Sequence, residues 1–428
     1  MSDPLPDVIV VGGGPAGAST AFYLARAGAS VLVLDRANFP RDKPCAEYLS
    51  PECSRILDDM GALAPCEAAG AAKLVGMIIR APNGTTVRGD FAAVQGFRGF
   101  RDRGLALRRT LLDAILLDRA RAAGARVEEG ARVVDVTRDA GGRVTGVRTL
   151  DGGGATRDRR ARIVVAADAL RAVVAHRLGV AHTTRSQRRT AFVAHYTGVG
   201  GVTDCGEMHV HLNGYAGFAN VGNGVTNVAI VVPMKHARAA AGRQAEFMDA
   251  WFAGHPDLAA RLAGATRIGP VRVTGPFASR ARHGVLPGVA LVGDAADFYD
   301  PFTGEGIFTA LRGGELLAPA TLQSLAATND RAAFEALRAY DDARRRVFGG
   351  KWRVERIIGT TITVPRLMNL TAAALARHKD MVDTLIGVAG DFVPPSEVLR
   401  PSFLLRMLVG GLLPVRAPRA VVAEPPLP

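Results

Sequence analysis

The hydrophobic pattern opens on Asp7-Val8-Ile9-Val10-Val11, an unbroken β-branched run of the kind seen in a strand covered on both faces. Six residues rich in glycine follow, Gly12 to Gly17. An alanine-rich stretch from Ala16 to about Arg26 then predicts a helix stopped by Gly28. Ser30-Val31-Leu32-Val33-Leu34 repeats the buried-strand pattern and ends at Asp35, and Ile163–Ala167 and Ala290–Val292 read the same way. Arg109 opens a helix leading to Gly124, and a second helix starts after Asp300-Pro301 and runs through Leu317. Residues 207–211 instead alternate, which places Glu207, His209 and His211 on one face of a strand, expected to face solvent. From about residue 330 the helical pattern dominates, over Arg331–Phe348, Lys351–Ile358 and Leu367–Ile386. Pro394-Pro395 breaks it before an apolar stretch, Phe403–Val415, and the proline-rich tail 419–428 reads as disordered.

The first forty residues carry specific chemistry. Gly12-x-Gly14-Pro15-Ala16-Gly17 is a G-x-G-x-x-G between a strand and a helix. Gly12 permits the tight turn, Gly14 lets backbone approach a pyrophosphate, and Gly17 allows close helix–strand packing. Phosphates then meet the free N–H groups and the dipole of the helix N-terminus. Asp35, at the tip of the next strand, can accept from ribose hydroxyls, with Arg36 beside it. An acid there disfavours a 2′-phosphate, so the motif points to FAD or NAD and not NADP.

Composition narrows the partners. The chain has 428 residues, 48% of them hydrophobic and 22% charged, with a formal net charge of +13, which excludes a disordered acidic or basic tail protein. Only five basic residues are lysine and 48 are arginine, an imbalance that fits a compositional bias toward arginine as well as a selected basic surface. No aromatic interleaving accompanies the charge, so nucleic acid is excluded as a partner. Four cysteines (45, 53, 66 and 205) without C-x-x-C spacing make neither a disulfide framework nor a structural zinc site, and no metal is expected. The absence of a leader pattern and of an 18-residue apolar window implies a cytoplasmic location.

Three later segments complete a resemblance: Arg109-Thr110-Leu111-Leu112-Asp113; Gly293-Asp294 at the end of a strand; and Asp300-Pro301-Phe302-Thr303-Gly304-Glu305-Gly306-Ile307. With the glycine motif they resemble the flavoprotein monooxygenase and geranylgeranyl reductase superfamily, in its aromatic-hydroxylase-like FAD fold. The resemblance implies that Asp294 binds a ribityl hydroxyl and that Pro301, Gly304, Gly306 and Ile307 aim backbone N–H groups at the flavin. It also places Arg109 near the diphosphate and Asp168 in an intermediate motif, here eroded, that is associated with both FAD and NAD(P)H. NAD(P)H is the expected electron donor, with a separate reductase or ferredoxin as the other source.

The fold class that follows is α/β (α+β overall). A Rossmann-like FAD-binding domain comprises residues 5–78, 100–185 and 272–325, a β-sheet substrate domain 79–99 and 186–271, and a helical C-terminal region 326–418. The loop Lys43-Pro44-Cys45-Ala46-Glu47 resembles the one that passes along the flavin in the reductase branch. The hairpin Gly214–Ala229 resembles a lipid-reductase hairpin in which Gly217 and Ala219 replace two aromatics, leaving room for a bulkier ring system. Cys45, Tyr215 and His211 are the catalytic candidates. The leading expectation is a monooxygenase that hydroxylates or epoxidises a lipophilic or polyketide-like molecule through a flavin C4a-hydroperoxide. A flavin-dependent C=C reductase or dehydrogenase of the geranylgeranyl reductase type, and a non-catalytic flavin-binding scaffold, are the alternatives. No Trp-x-Trp-x-Ile-Pro stretch supports a halogenase. The basic C-terminal helices, including Arg344–Arg346, suggest contact with an anionic carrier or a membrane surface.

Overall fold

The computed structural model describes residues 5–412 apart from 152, 171 and 184–187. Val8–Val11 lies between Ile163–Ala166 and Val31–Leu34 in a six-stranded sheet. Val289–Leu291 and Arg126–Glu128 extend it in parallel, and only the edge strand Val285–Leu286 runs antiparallel. Each apolar run serves two layers. Val8, Val10, Val31 and Val33 meet a helical layer that includes Pro15–Arg26, Arg109–Ala122 and Gly306–Ala326. Ile9, Val11, Leu32 and Leu34 meet Val133, Val144 and Val147 from the three-stranded sheet 132–160 on the other side. This is why the strands show no polar alternation.

A seven-stranded sheet forms the second half, in the order Thr266–Thr274, Arg189–Thr197, Val225–Pro233, Gly214–Asn220, Cys205–His211, Gly76–Arg80 and Thr86–Asp90. Gly76–Arg80 pairs in parallel with Cys205–His211, so this sheet takes in residue 76 onward, and the expected boundary at 78 falls inside a strand. Phe192, Ala194, Phe218 and Ile230 pack under the helices Gln244–Ala253 and Pro256–Leu262. Ala191, Val193, Tyr215 and Val231 point the opposite way, toward Phe277 and Phe302.

The C-terminal helices differ from the expected segmentation. Asp330–Thr361 is one 32-residue helix that continues through Gly349-Gly350. A glycine costs a helix about 1 kcal/mol relative to alanine, and burial of Phe348 and Val354 around the pair offsets it. Gly350 is also where Pro395 comes close, since a Cβ there would stand 3.1 Å from the proline ring. The single helix expected over 367–386 is instead two, Pro365–Leu375 and Lys379–Ala389, broken at His378, whose φ of −134° and ψ of 87° leave the helical region. Pro401–Leu412 is the last described helix, and the tail 419–428 lies outside the described residues. No helix among the described residues is long and apolar enough to cross a membrane.

Candidate functional site

One cavity runs from the glycine turn to the inner face of the seven-stranded sheet. Gly14, Ala16, Asp294 and Ile307 line one end, and Val193, Met208, Tyr215 and Phe277 the other. At Gly12 φ is +103°, and a Cβ would lie 2.5 Å from the Ala167 carbonyl oxygen. At Gly17 a Cβ would overlap the Gly12 carbonyl oxygen. The Asp35 carboxylate braces this turn, accepting from the Gly13 N–H at 2.7 Å and the Ala37 N–H at 2.8 Å, while Arg36 is exposed.

Gly14 faces cations. A Cβ there would meet the Arg41 guanidinium at 3.3 Å and that of Arg109 at 3.7 Å, and Lys43 lines the same cavity. Both arginines lean on one fully buried carboxylate, Asp113, at 2.7 Å from Arg109 and 2.8 Å from Arg41. Two guanidinium groups on one carboxylate leave positive charge beside the N-terminus of Pro15–Arg26, where an anion is favoured. Burial and the nearby Arg109 hold Lys43 below the ordinary ammonium range. Burial raises Asp294, against the pull of Lys43 and Arg109. Arg41 and Lys43 sit in an irregular loop whose sequence carries no phosphate-binding pattern.

Beyond Asp294 the chain makes the turn Pro301–Thr303, capped by Asp300, whose side chain accepts from the Phe302 N–H at 3.0 Å. Gly304 takes φ +73°, and a Cβ on it would press 2.6 Å from the Tyr48 ring. The helix Gly306–Ala326 then starts with its free N–H groups at the cavity. Glu305 fixes the turn from behind: its carboxylate lies 3.1 Å from the Lys351 ammonium, which also pairs with Asp391. A cationic cradle at one helix N-terminus, a buried carboxylate midway and a second N-terminus beyond fit the diphosphate, ribityl chain and flavin of FAD in that order. Asp168 has another task. Its carboxylate accepts from the Val173 N–H at 2.6 Å, capping the helix Val173–Arg177, while Ala167, Ala169 and Leu170 face the cavity. Burial pushes Asp168 up to about 6.

Of the catalytic candidates, Cys45 lies on the cavity wall. The Tyr215 ring also lines it, but its hydroxyl donates to Asp300 at 2.7 Å. Burial, then the Asp300 charge, raises Tyr215 well above the ordinary phenol. Arg189 completes this group, donating to Asp300 at 2.6 Å and to the Gly359 carbonyl at 2.9 Å. Tyr215 is therefore a positioning residue that ties sheet, turn and long helix together. His211 is not brought to the site. It stacks edge-on to Trp251 and His255, on the helix-covered side of the sheet. Its strand-mates Glu207 and His209 are buried, not solvent-facing, because Arg261 reaches over to pair with Glu207 at 2.6 Å.

Sequence reasoning missed a buried trio behind Cys45. Glu47 is fully buried, with φ at +61°. One carboxylate oxygen accepts the Arg109 N–H at 2.8 Å. The other accepts from the Asn227 side chain at 3.0 Å and lies 2.7 Å from His195 Nε2. Glu47 itself lines the cavity. Burial pushes the Cys53 and Cys66 thiols up to about 12 and raises Cys205 as well. Thiolate is the reactive form, so iodoacetamide at pH 8 is expected to label Cys45 before the others, with FAD slowing the reaction. Peptide mapping that finds another cysteine labelled first would contradict this.

The family described as FAD binding domain matches residues 6–353. The menaquinone reductase of Mycolicibacterium smegmatis is 30% identical over 408 residues, covering 91% of this chain and 93% of that protein. Digeranylgeranylglycerophospholipid reductase 1 of Methanopyrus kandleri is 30% identical over 344 residues, 78% of this chain and 85% of that protein. Among solved structures, the myxobacterial chondrochloren halogenase superimposes with a TM-score of 0.76 at 22% identity, covering 96% of this chain and 98% of that one. A geranylgeranyl bacteriochlorophyll reductase-like protein from Thermoplasma acidophilum gives 0.70 at 22% identity, covering 95% and 96%.

Proposed function

Since the chain belongs to the FAD binding domain family and is an FAD-dependent oxidoreductase, we propose that it reduces a carbon–carbon double bond in a lipophilic, isoprenoid- or quinone-like molecule. The observation that carries this reading is buried Glu47 on the wall of an otherwise largely apolar cavity, backed by His195 at 2.7 Å. Reducing an alkene takes a hydride and a proton. Bound FAD, with NAD(P)H as the proposed source of electrons, supplies the hydride. The chain supplies the rest. Arg41, Lys43 and Arg109 hold the diphosphate, Asp294 the ribityl chain, and the N–H groups at the start of Gly306–Ala326 the polar edge of the flavin. Arg189, Asp300 and Tyr215 keep the turn and the sheet in register. Val193, Met208, Val231 and Phe277 exclude water and accept hydrocarbon. Glu47, on the cavity wall with Oε2 2.7 Å from His195 Nε2, passes the proton to the second alkene carbon, with His195 as its relay partner.

Relatives at 29–30% identity over most of both chains are named as reductases of menaquinone and of a digeranylgeranyl lipid, which supports this reading. The halogenase likeness at 22% bears on the fold alone. Oxygen transfer is the second reading, and the small hairpin residues favour it. Gly217 and Ala219 border an adjoining space of about 50 Å³ with Leu74 and Met77, which widens the cavity for a ring system.

The two readings separate without O₂. The FAD-loaded protein is reduced anaerobically and mixed with a polyprenyl quinone or a geranylgeranyl lipid. The expected result is reoxidation of the flavin with a product heavier by two hydrogens. Reoxidation only after O₂ is admitted, with a product heavier by one oxygen, would replace the reductase reading with a monooxygenase. No change in either regime would leave a flavin-binding scaffold.

A further inference from the structure

The helices Pro365–Leu375 and Pro401–Leu412 form a close pair at the outer edge of the molecule. Their contact runs through glycine: a Cβ on Gly411 would lie 3.0 Å from the Leu370 carbonyl oxygen, and one on Gly410 3.2 Å from the Ala374 Cβ. The last helix therefore buries its narrow side, with Phe403, and leaves its broad side outward. That side carries Leu404, Leu405, Leu408 and Val409, between 42% and 64% exposed. Leu367 and Leu370, one turn apart on the partner helix, continue the surface at 39% and 43%, and Val364 and Ile357 extend it at 44% and 49%. Eight large apolar side chains open to solvent in one region are far more than the scattered leucines of an ordinary surface.

Two further features say what covers this face. The first is charge. Arg366 sits between Val364 and Leu367, and Arg353 lies one turn before Ile357 with Arg356 beside it; all three are exposed, Arg353 and Arg356 at the rim of a second cavity that also holds Asp297 and Asp300. An apolar face with exposed arginine at its edge, on a chain of net charge +13, complements an anionic lipid surface: leucine enters the acyl boundary and guanidinium meets phosphate. The second is continuity with the cavity. The inner side of the helix Pro365–Leu375, through Met368 and Ala372, packs with Ile362 against Tyr215, Val231, Phe277 and Phe302. Tyr215, Val231 and Phe277 are also walls of the cavity. One helix thickness thus separates the apolar exterior from the space assigned to the substrate.

We propose that the outer face of Pro365–Leu375 and Pro401–Leu412 seats the protein on an anionic membrane, with its leucines in the acyl boundary and Arg353, Arg356 and Arg366 on the headgroups. The docking stands on the surface alone. That the bilayer also delivers the substrate to the cavity rests on the function proposed above. An anionic protein carrier would match the arginines but leave the leucines without a counterpart.

The test is flotation of the full-length, FAD-loaded protein with vesicles of phosphatidylcholine alone and of phosphatidylcholine with phosphatidylglycerol at a 7:3 ratio, without substrate. The protein is expected to float with the mixed vesicles, more strongly at low salt. Leu405→Ser with Leu408→Ser should lower the vesicle affinity by at least about tenfold per leucine, with flavin content and turnover of a detergent-dispersed substrate unchanged. Arg353→Ala with Arg366→Ala should remove the preference for the anionic vesicles. Three results would overturn the proposal. In one, the full chain binds neither vesicle, as it would if residues 413–428 covered the face. In another, binding survives the serine variant. In the third, the wild type self-associates with concentration and the serine variant abolishes that association, which would make the face an interface between copies. Because binding is read without turnover, failure here leaves the reductase reading standing, and failure of the anaerobic assay leaves the docking standing.

Discussion

Gly17→Ala is expected to purify folded and without flavin. A methyl on residue 17 would overlap the Gly12 carbonyl oxygen, and that atom is backbone, held in a turn with φ of +103°. A rotamer change cannot relieve the overlap, so the helix Pro15–Arg26 must draw back. Binding sites hold their groups within about 0.5 Å, and the separation needed here exceeds that. The loss falls on the amides at the start of the helix, which face the cationic cradle of Arg41, Lys43 and Arg109. Hydrogen bonds to a charged group contribute about 1.5–3 kcal/mol each, so misplacing two lowers FAD affinity by at least about 100-fold. Gly28→Ala is the control. Gly28 also has a positive φ, +88°, but open space around it, so that variant should lose about 1 kcal/mol of stability and keep its flavin. Absorbance at 450 nm against 280 nm, with far-UV circular dichroism to establish folding, reads both. A Gly17→Ala protein that purifies yellow at wild-type stoichiometry would remove the glycine turn from the FAD site.

This turn was legible in sequence because each of its physical demands is local. Strand, glycines, helix and terminal acid occupy residues 7–35, and each residue's job is set by its neighbours in the chain. Gly293-Asp294 and the turn at 301–307 were legible as contiguous motifs through the family resemblance. What the pattern did not show were contacts made across long distances. Glu47 meets its partners 148 and 180 residues away, and its own segment reads as an irregular loop. His195 stands in a strand, Arg189–Thr197, whose residues are nearly all buried and so give no clue to which face matters. The register decides it. Ala191, Val193 and His195 share the cavity face, whereas His211, the more conspicuous histidine, shares a face with Glu207 and His209 under the helices. The same limit applies to Tyr215: its place on the cavity wall was foreseen, but the Asp300 that takes its hydroxyl is 85 residues away.

Glu47→Gln and His195→Gln are expected each to lower kcat by at least about 100-fold, the lower range for loss of a positioned general acid, with little change in KM and full flavin content. The two substitutions fail differently if the pair is merely structural. In Glu47→Gln the retained oxygen can still accept the Arg109 N–H, but the new amide faces the Asn227 amide, also a donor, and a buried mismatch of that kind costs about 1–3 kcal/mol. His195→Gln leaves both of those bonds to Glu47 intact and removes only the imidazole 2.7 Å from it. A structural role therefore predicts a less stable Glu47→Gln protein, a nearly normal His195→Gln protein, and losses of activity that follow stability. A proton-delivering role predicts comparable losses in kcat whatever the stability, because either substitution breaks the relay between the two side chains. Removing an interaction made only in the transition state lowers kcat and kcat/KM together, so steady-state kinetics beside thermal melts of the two variants separates the cases. Normal turnover in both variants would take the proton away from this pair and pass the role to another protic group on the same stretch of cavity wall, the Cys45 thiol or the Tyr48 hydroxyl.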